Sequence, residues 1–382
     1  MKYNTAFPYF SDTDVEYILS QTRRILEGDE MLSMGRFVSE FETAFSQYVN
    51  TEYAVATSSC TTALETVLTS FDLSQGDEVI VPCQTFIATA SSVVRVGAKP
   101  VFAEVGENFL IDFESLKEKI TANTKAVIVV HFAGLIHPEI FHIKKYLAER
   151  DIRLIEDAAH AHGASIKGIK AGNIGDAACF SFFSTKNMTA GEGGMITTNN
   201  KQIADVCSSL RNRGIVLGRG GELFDRIGSN LRMTEFQALI GMVQLERLDQ
   251  FVMHRQKVAS VYEEKLKRLV SNGSITRSLP DSDTSNSYWR YWIRLNDEYS
   301  REQVQAKLAE KSIKIDWAYT PLVHLQPIFV EMYGFKEGDL PRSDYFASNH
   351  ICLPIHYLIT TDDAVFIAES LIEVLEELKG VF

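Results

Sequence analysis

The sequence predicts an α/β fold, with a mostly parallel central sheet covered by helices and a smaller α+β domain towards the C-terminus. From residue 53 onward, short apolar runs rich in β-branched residues alternate with helical patterns of about ten residues, which is typical of a parallel sheet covered on both faces. After Asn230 the alternation gives way to long helical patterns and a single alternating run. We therefore expect two domains, residues 1–250 and residues 251–382, which suits a chain of 382 residues.

Two helical patterns precede the sheet. The stretch TDVEYILSQTRRILEGDE repeats apolar residues at helical spacing, with Thr13 and Glu16 at the spacing of a capping box and Gly28 positioned to end the helix. The stretch FVSEFETAFSQYV repeats the helical period. The sequence therefore predicts two helices before the first strand.

The predicted strands of the sheet are, in chain order, YAVAT, DEVIVP, KPVFAEV, KAVIVVHF, IRLIED, CFSFF and MITTN. Helical patterns separate the first five of them. Ligands of such sheets bind beyond the carboxyl ends of the strands. Because Ser59, Phe86, Asp157 and Lys186 each follow a strand, we expect them to share one crevice.

The C-terminal part begins with a long helical pattern, MTEFQALIGMVQLERLDQFVMHRQKVASVYEEKLKRL, which we expect to bend or break near Asp249. SYWRYWIRL alternates like a half-exposed strand, and REQVQAKLAEKSI is helical. The stretch TDDAVFIAESLIEVLEELKG predicts a capped amphipathic helix. These elements predict the smaller α+β domain.

Charge and composition exclude several classes of protein. The net charge of -12 argues against a general nucleic-acid binder. Hydrophobic residues make up 45% and charged residues 23%, ordinary values for a soluble globular protein. No apolar run approaches the ~18 residues of a membrane span, and the N-terminus does not resemble a signal peptide. We expect a cytoplasmic protein that binds neither nucleic acid nor membrane.

The cysteines favour the same compartment. They are five in number, widely and irregularly spaced, and no C-x-x-C pair occurs. This pattern predicts reduced thiols in a cytoplasm, and the histidines form no zinc-binding spacing with them. We expect no metal site.

An acidic pair ends one of the predicted strands. In IRLIED, Glu156 and Asp157 follow an apolar run, and His160 comes three residues later. A carboxylate at a buried strand end is costly unless a cation pairs with it. Asp157 could cap a helix or form a structural ion pair; alternatively, it could pair with a protonated pyridine ring.

A cluster of hydroxyls marks the turn between the first strand and its helix. Ser58, Ser59, Thr61 and Thr62 crowd the helix N-terminus, where free N–H groups and the helix dipole suit a phosphate. Simple N-capping needs only one of them. The excess favours a phosphate site.

An aromatic residue and a lysine complete the set. Phe86, in the turn after DEVIVP, could belong to the core or stack on a flat ring, and Lys186 alone could be a solvated side chain. A lysine in a dry site has a lowered pKa and can form a Schiff base. Phosphate turn, stacking aromatic, strand-end acid and lysine are together what pyridoxal 5'-phosphate requires. Gly191, Gly193 and Gly194 then let the backbone turn tightly before the last strand.

Six stretches in a fixed order carry a resemblance to a known family: GDEVIVPCQTFIATASSV, LIEDAAHAHGASIKG, CFSFFSTKNMTAGEGGMITTN, IGSNLRMTEFQALIGMVQLERLD, HLQPIF and CLPIH. The chain resembles the DegT/DnrJ/StrS family of sugar aminotransferases over nearly its whole length. The resemblance implies the fold type I of aspartate aminotransferase and pyridoxal 5'-phosphate as the cofactor.

The resemblance also implies roles for residues that bind the cofactor's ring. Lys186 matches the Schiff-base lysine and is the implied catalytic residue. Asp157 matches the partner of the pyridine nitrogen, His160 lies where the family places Gln or His near the phenolic oxygen, and Phe86 matches the stacking aromatic.

Further matches concern the cofactor's phosphate. Ser59, Cys60 and Thr61 fall at the phosphate turn, where the family commonly has Gly-Thr or Ala-Thr, and Ser181 matches another phosphate ligand. Asn230 matches an asparagine that reaches the phosphate from the neighbouring subunit. The resemblance therefore implies a homodimer with shared active sites.

The activity implied is transfer of an amino group from an amino acid, L-glutamate, to a keto-sugar. The acceptor we expect is a nucleotide-linked 3- or 4-keto-deoxy sugar, in the biosynthesis of an amino sugar for a surface polysaccharide or a glycosylated metabolite. Arg232 and His324 are candidates for contacting this substrate or for purely structural roles. Relatives with histidine in place of the lysine perform dehydration, so Lys186 favours transamination.

The sequence departs from the family pattern near the expected substrate side. LSMGRFVSEFE lacks a proline that is frequent before the second helix, Ser229 replaces a frequent tyrosine, and VHFAG replaces VHLYG. A cyclitol ketone or a free keto sugar acid is therefore an alternative acceptor. A regulatory protein that binds the cofactor without turnover is another alternative.

A nicotinamide-dependent oxidoreductase is disfavoured. The sequence GRGG at residues 218–221 resembles part of a dinucleotide-binding loop. It lacks the preceding strand and the full G-x-G-x-x-G spacing, so we interpret it as a flexible loop.

Overall fold

The computed structural model describes residues 2–216 and 223–379, so the loop predicted at residues 218–221 lies outside the described residues. The strands are, in chain order, β1 (Tyr53–Thr57), β2 (Glu78–Pro82), β3 (Lys99–Ala103), β4 (Thr124–Val130), β5 (Arg153–Asp157), β6 (Ser165–Ile166), β7 (Ile169–Lys170), β8 (Ala177–Ser181), β9 (Gly194–Thr198), β10 (Ile275–Thr276), β11 (Thr284–Ser285), β12 (Tyr291–Leu295) and β13 (His350–Leu353).

The helices are α1 (Asp12–Glu27), α2 (Arg36–Val49), α3 (Cys60–Ser70), α4 (Ile87–Arg95), α5 (Phe113–Lys119), α6 (Ile140–Ala148), α7 (Lys201–Arg211), α8 (Glu235–Glu246), α9 (Leu248–Lys265), α10 (Lys267–Ser271), α11 (Arg301–Glu310), α12 (Pro327–Tyr333), α13 (Pro341–Ser348) and α14 (Thr361–Lys379). None of these helices is long and apolar enough to cross a membrane, within the stretches that the structure describes.

The central sheet has seven strands in the order β1-β9-β8-β5-β4-β2-β3. Neighbours are parallel from β8 through β5, β4 and β2 to β3, whereas β9 runs antiparallel to both β8 and β1. The mostly parallel sheet predicted from the sequence is therefore confirmed. Because β9 runs the other way, its first residue lies at the edge where the parallel strands end.

Apolar packing covers both faces of this sheet. Successive residues of a strand point to opposite faces. Along β4, Ala126 and Ile128 belong to one buried apolar cluster, and Val127 and Val129 belong to another. This double burial explains why the strands appear in the sequence as continuous apolar runs and not as alternating ones.

Two local predictions about helices have different outcomes. The capping box of α1 uses Ser11 and Asp14, so the prediction of Thr13 and Glu16 was wrong. Both pairs have the required spacing, and the chain begins the helix two residues earlier, after Ser11, whose backbone is extended. The predicted break near Asp249 is confirmed, since α8 ends and α9 begins on either side of Arg247.

The C-terminal part has its own three-stranded sheet, β10-β12-β13, and its own buried apolar cluster between that sheet and helices α9, α11 and α14. Tyr3 belongs to this cluster and forms a bridge with Ile313. The prediction that SYWRYWIRL is half exposed was wrong, because every residue of β12 is buried. The division at residue 250 stays a prediction.

Candidate active site

A cavity of about 550 Å³ lies beyond the carboxyl ends of the parallel strands. Ser59, Phe86, Asp157 and Lys186 all line it, so the structure brings together the four residues expected to share a crevice. Among the other lining residues are Cys60, Thr61, His160 and Ser181.

Lys186 lies in the turn that follows β8, where its N–H donates to the carbonyl of Phe183 at 2.9 Å. Burial lowers the pKa of the Lys186 amine to about 8, because few water molecules remain to solvate the ammonium. The amine lies 4.4 Å from the centroid of the Trp289 ring. Loss of the proton from this amine is therefore shifted from the strongly alkaline range towards neutral pH.

The glycines after Lys186 fit the turn into β9. A Cβ added to Gly194, the first residue of β9, would lie 2.4 Å from the main-chain carbonyl of Ser59. Gly191 has φ +78°, a left-handed conformation that favours glycine. The glycines let the lysine loop and the turn before α3 approach each other at backbone contact distance.

Asp157 ends β5 and is 5% exposed. Its Oδ2 accepts a hydrogen bond from Thr89 Oγ1 at 2.8 Å, and its Oδ1 accepts one from the N–H of Ala159 at 3.2 Å. Burial raises the pKa of the carboxyl, and no ion-pair partner within 4.0 Å occurs in the part of the chain that the structure describes. A cation entering the cavity would therefore find an uncompensated acid.

The polar turn before α3 is a helix N-terminus. Ser59 is the N-cap of α3, and its side chain forms a capping box with Thr62. The Ser59 hydroxyl therefore caps the helix, which is the simpler of the two interpretations of this turn. The N–H groups of Cys60 and Thr61 belong to the first turn, where a helix supplies no acceptors of its own, so they can bind an anion.

Phe86 and Ser181 also stand at the cavity. Phe86 is 55% exposed, which argues against a place in the core, and its ring centroid lies 5.9 Å from that of Tyr319. Ser181 ends β8, and its hydroxyl makes a long contact, 3.4 Å, with the N–H of Phe183. The exposed ring of Phe86 can therefore pack against a ligand, and the hydroxyl of Ser181 can form a further hydrogen bond.

His160 is held in an aromatic stack. Its ring lies 3.7 Å from that of Trp289 at an angle of 10°, and its Nε2 is 2.8 Å from the hydroxyl of Tyr319. Burial lowers the pKa of the imidazole well below its ordinary value, so the ring is neutral. Its Nδ1 has no hydrogen-bond partner among the described residues.

A buried pair lies behind this site. Glu156, next to Asp157, lies 2.9 Å from His131 and accepts hydrogen bonds from the N–H groups of Gly172, Ile174 and Gly175. These bonds lower the pKa of Glu156 despite complete burial. The pair fixes the end of β5 and with it the position of Asp157.

Three predicted residues do not line the cavity. Asn230 is exposed and forms a bridge with Asn212, whose side-chain oxygen accepts a hydrogen bond from Arg232 at 2.8 Å. His324 is 0% exposed and packs against the rings of Phe102 and Phe335, so its burial favours the structural role.

Sequence reasoning missed the wall that the C-terminal part contributes. Trp289, Arg290, Asp316 and Tyr319 line the cavity. The stretch SYWRYWIRL contains the first two, but its alternating pattern predicts a strand and says nothing about proximity to Lys186. No group of three acidic, cysteine or histidine side chains suited to a metal ion occurs within residues 2–216 and 223–379.

Comparison with known proteins identifies the family. The profile of the DegT/DnrJ/EryC1/StrS aminotransferase family matches residues 12–372. A GDP-perosamine synthase from Caulobacter vibrioides is 35% identical over 97% of this chain and 98% of its own. A dTDP-3-amino-3,6-dideoxy-alpha-D-galactopyranose transaminase from Aneurinibacillus thermoaerophilus is 32% identical over 91% of this chain and 92% of its own.

A solved structure agrees with the fold. The PLP form of Spr1654 from Streptococcus pneumoniae superposes with a TM-score of 0.88 at 26% identity, covering 98% of this chain and 99% of that one. The predicted fold type I aminotransferase architecture is therefore confirmed. Together with the family match over nearly the whole length, this shows that the chain belongs to the DegT/DnrJ/EryC1/StrS aminotransferase family.

Proposed function

We propose that this chain is a pyridoxal-phosphate-dependent enzyme that transfers an amino group from L-glutamate to a keto-sugar carried on a nucleotide. The observation that carries the proposal is that Lys186, with its lowered pKa, and the uncompensated carboxylate of Asp157 face one cavity. The product is an amino sugar for a surface polysaccharide or a glycosylated metabolite.

The acceptor class rests on the relatives. One is named for GDP-perosamine and another for a dTDP-linked amino-dideoxy sugar. Both names join a sugar to a nucleotide, but the nucleotides differ. The proposal therefore covers nucleotide-linked 3- or 4-keto-deoxy sugars as a class.

The residues at the cavity fit pyridoxal phosphate. Asp157 offers a buried acid without an ion-pair partner to a protonated ring nitrogen, and His160, whose Nδ1 has no partner among the described residues, lines the same cavity near the place of the phenolic oxygen. Exposed Phe86 offers a face to the ring. The first-turn N–H groups at Cys60 and Thr61, with the hydroxyls of Ser59 and Ser181, suit the phosphate.

When bound, pyridoxal phosphate supplies an aldehyde that bonds to an amine and a ring that accepts electrons. The neutral Nζ of Lys186 removes the proton from the α-carbon of the donor. In the second half of the reaction, the same Nζ delivers a proton to the sugar carbon that receives the amino group. Asp157 keeps the ring nitrogen protonated throughout.

The assembly in this proposal is a homodimer with shared active sites. Asn230 is exposed in the single chain, as an asparagine that serves the neighbouring subunit's phosphate must be. The segment before it exposes the side chains of Leu223, Phe224 and Ile227, the last being 96% exposed. Several exposed apolar side chains within one short segment favour burial by another chain.

An absorbance scan of the purified protein tests the function. We expect a visible band that bleaches when glutamate is added and returns when a nucleotide-linked keto-sugar is added, with the aminated product identified by its mass. Lys186→Arg should lose the band and the turnover. Lys170→Arg is the matched control, because Lys170 lies outside the cavity lining, against Tyr48.

Three outcomes would contradict the proposal. Absence of any band in the presence of added cofactor removes pyridoxal phosphate. A band that no amino acid bleaches favours a binding protein without turnover. A bleached enzyme that a cyclitol ketone or a free keto sugar acid restores, and that no nucleotide sugar restores, corrects the acceptor class.

A further inference from the structure

Arg290 is a buried cation in the wall of the cavity. It immediately precedes β12, is 8% exposed, and lines the cavity beside Trp289 and Asp316. Its guanidinium lies 4.2 Å from the centroid of the Trp289 ring. The cavity therefore contains a permanent positive charge besides the lysine.

The hydrogen bonds of Arg290 are few for a buried guanidinium. Nη1 donates to the carbonyl of Trp289 at 3.3 Å, and Nε has no partner among the residues described. Nη2 lies 3.7 Å from Asp316 Oδ2, too far for a hydrogen bond. That oxygen already accepts a bond from Thr5 Oγ1 at 2.7 Å.

Arg294, in the strand β12 that follows Arg290, is a buried arginine whose donors do have partners. It is buried to a similar degree, and its Nη2 lies 2.6 Å from Asp297 while its Nε donates to the carbonyl of Tyr345. Burying a cation without such partners is costly. Arg290 therefore has unused donors in the fork geometry that suits a carboxylate.

The position of Arg290 relative to Lys186 indicates which oxyanion its unused donors would bind. The guanidinium of Arg290 and the amine of Lys186 both lie over the ring of Trp289, and the charge of Arg290 helps to lower the pKa of that amine. An amino acid carries its carboxylate on the carbon that loses the proton to Lys186. The diphosphate of a nucleotide sugar is several bonds from the reacting carbon.

We propose that Arg290 binds the α-carboxylate of the amino donor and selects amino acids over simple amines as donors. This rests on the proposed function. Asp316 is the counterion of Arg290 while no donor is bound. Because the Arg290–Asp316 contact is long, the guanidinium can bind the carboxylate of the donor instead of that of Asp316. Arg290 thus binds a carboxylate in the first half of the reaction only.

The experiment measures the two halves separately, using the holoenzyme. In the first, bleaching of the absorbance band is followed against glutamate concentration for wild type, Arg290→Gln, Arg290→Lys and the matched control Arg294→Gln. Arg290→Gln removes the charge-assisted hydrogen bonds between the guanidinium and the carboxylate. We therefore expect the apparent Kd for glutamate to be about 10- to 100-fold higher in this variant. Arg290→Lys should recover part of the loss, and Arg294→Gln should behave as wild type.

A second donor tests selectivity directly. 4-Aminobutanoate has the amine and the distal carboxylate of glutamate but lacks the α-carboxylate. We expect wild type to prefer glutamate strongly and Arg290→Gln to lose most of that preference. The pH at which the free lysine of the apo protein loses its proton should also rise in Arg290→Gln, because a neighbouring positive charge has been removed.

The second half of the reaction tests the alternative that Arg290 binds the phosphates of the sugar acceptor and not the carboxylate of the donor. Starting from the aminated enzyme, the rate of regeneration by a nucleotide keto-sugar should change less than about twofold in Arg290→Gln, since no donor carboxylate is present. If this rate falls while glutamate binding stays normal, Arg290 binds the acceptor's phosphates and the proposal is wrong. It is equally wrong if neither half changes. If no amino acid bleaches wild type, the proposed function itself fails.

Discussion

At the scale of single residues, the pKa of Lys186 controls the reactivity of the site. Burial lowers it from 10.5 to about 8, and only the neutral amine attacks an aldehyde. We expect the rate at which the apo protein captures pyridoxal phosphate to rise about tenfold per pH unit below pH ~8 and to level off above it. Stopped-flow absorbance between about pH 6 and 9.5 measures this.

A lysine with an ordinary pKa would give a capture rate that does not level off in this pH range. With a pKa near 10.4, the capture rate would still be rising steeply at about pH 9.5. A rate without a plateau would show that the site does not desolvate Lys186. Lys170→Arg, which leaves the cavity intact, should reproduce the wild-type profile.

The sequence could supply some of these residues and not others. Asp157 and Lys186 follow strands of one sheet, and the carboxyl ends of parallel strands share an edge, so their meeting was predictable. Trp289 and Arg290 lie about a hundred residues later along the chain, just before β12, a strand of a different sheet. Their place depends on how the C-terminal part packs, which no local pattern contains.

At the scale of elements, Glu235 shows how one helix caps another. The N-cap of helix α2 is Gly35, which offers no capping side chain. Glu235, in the first turn of α8, accepts hydrogen bonds from the N–H groups of Gly35, Phe37 and Val38. A buried carboxylate two hundred residues away therefore supplies the acceptors that the start of α2 lacks.

We expect Glu235→Gln to lower the free energy of unfolding by about 2 kcal/mol, because the amide group turns a donor towards backbone donors. Glu246→Gln, at an exposed position on the same helix, should change it by less than about 0.5 kcal/mol. The midpoints of thermal unfolding give the comparison. Equal midpoints for the two variants would contradict the capping role of Glu235.

Strand direction marks another limit of sequence reasoning. The residue types of MITTN suit a strand of either direction, so the stretch predicts a strand of the sheet without telling whether it runs parallel or antiparallel. The structure makes β9 antiparallel to β8. This direction places Gly194 against the carbonyl of Ser59, so the loop after Lys186 returns beside the turn before α3.

At the scale of the whole molecule, the surface of the single chain bears on the proposed homodimer. Phe183 is exposed at the cavity, and Leu223, Phe224 and Ile227 are exposed in the segment before Asn230. Single exposed apolar residues are ordinary, but three of them within five residues of chain favour an interface. A homodimer related by a two-fold axis would bury the same surface on both chains.

Subunit complementation tests whether the active sites are shared. Subunits with Lys186→Ala and subunits with Asn230→Ala, unfolded and refolded together, would form mixed dimers in which one site has both Lys186 and the partner's Asn230. Random pairing then restores about a quarter of the wild-type sites. Mixing Lys186→Ala with Arg290→Gln is the matched control, since both side chains line the cavity of one chain and no complete site can form. Activity that stays at the level of the separate variants in both mixtures would show that Asn230 does not serve the neighbouring site, whereas rescue confined to the first mixture supports the shared site.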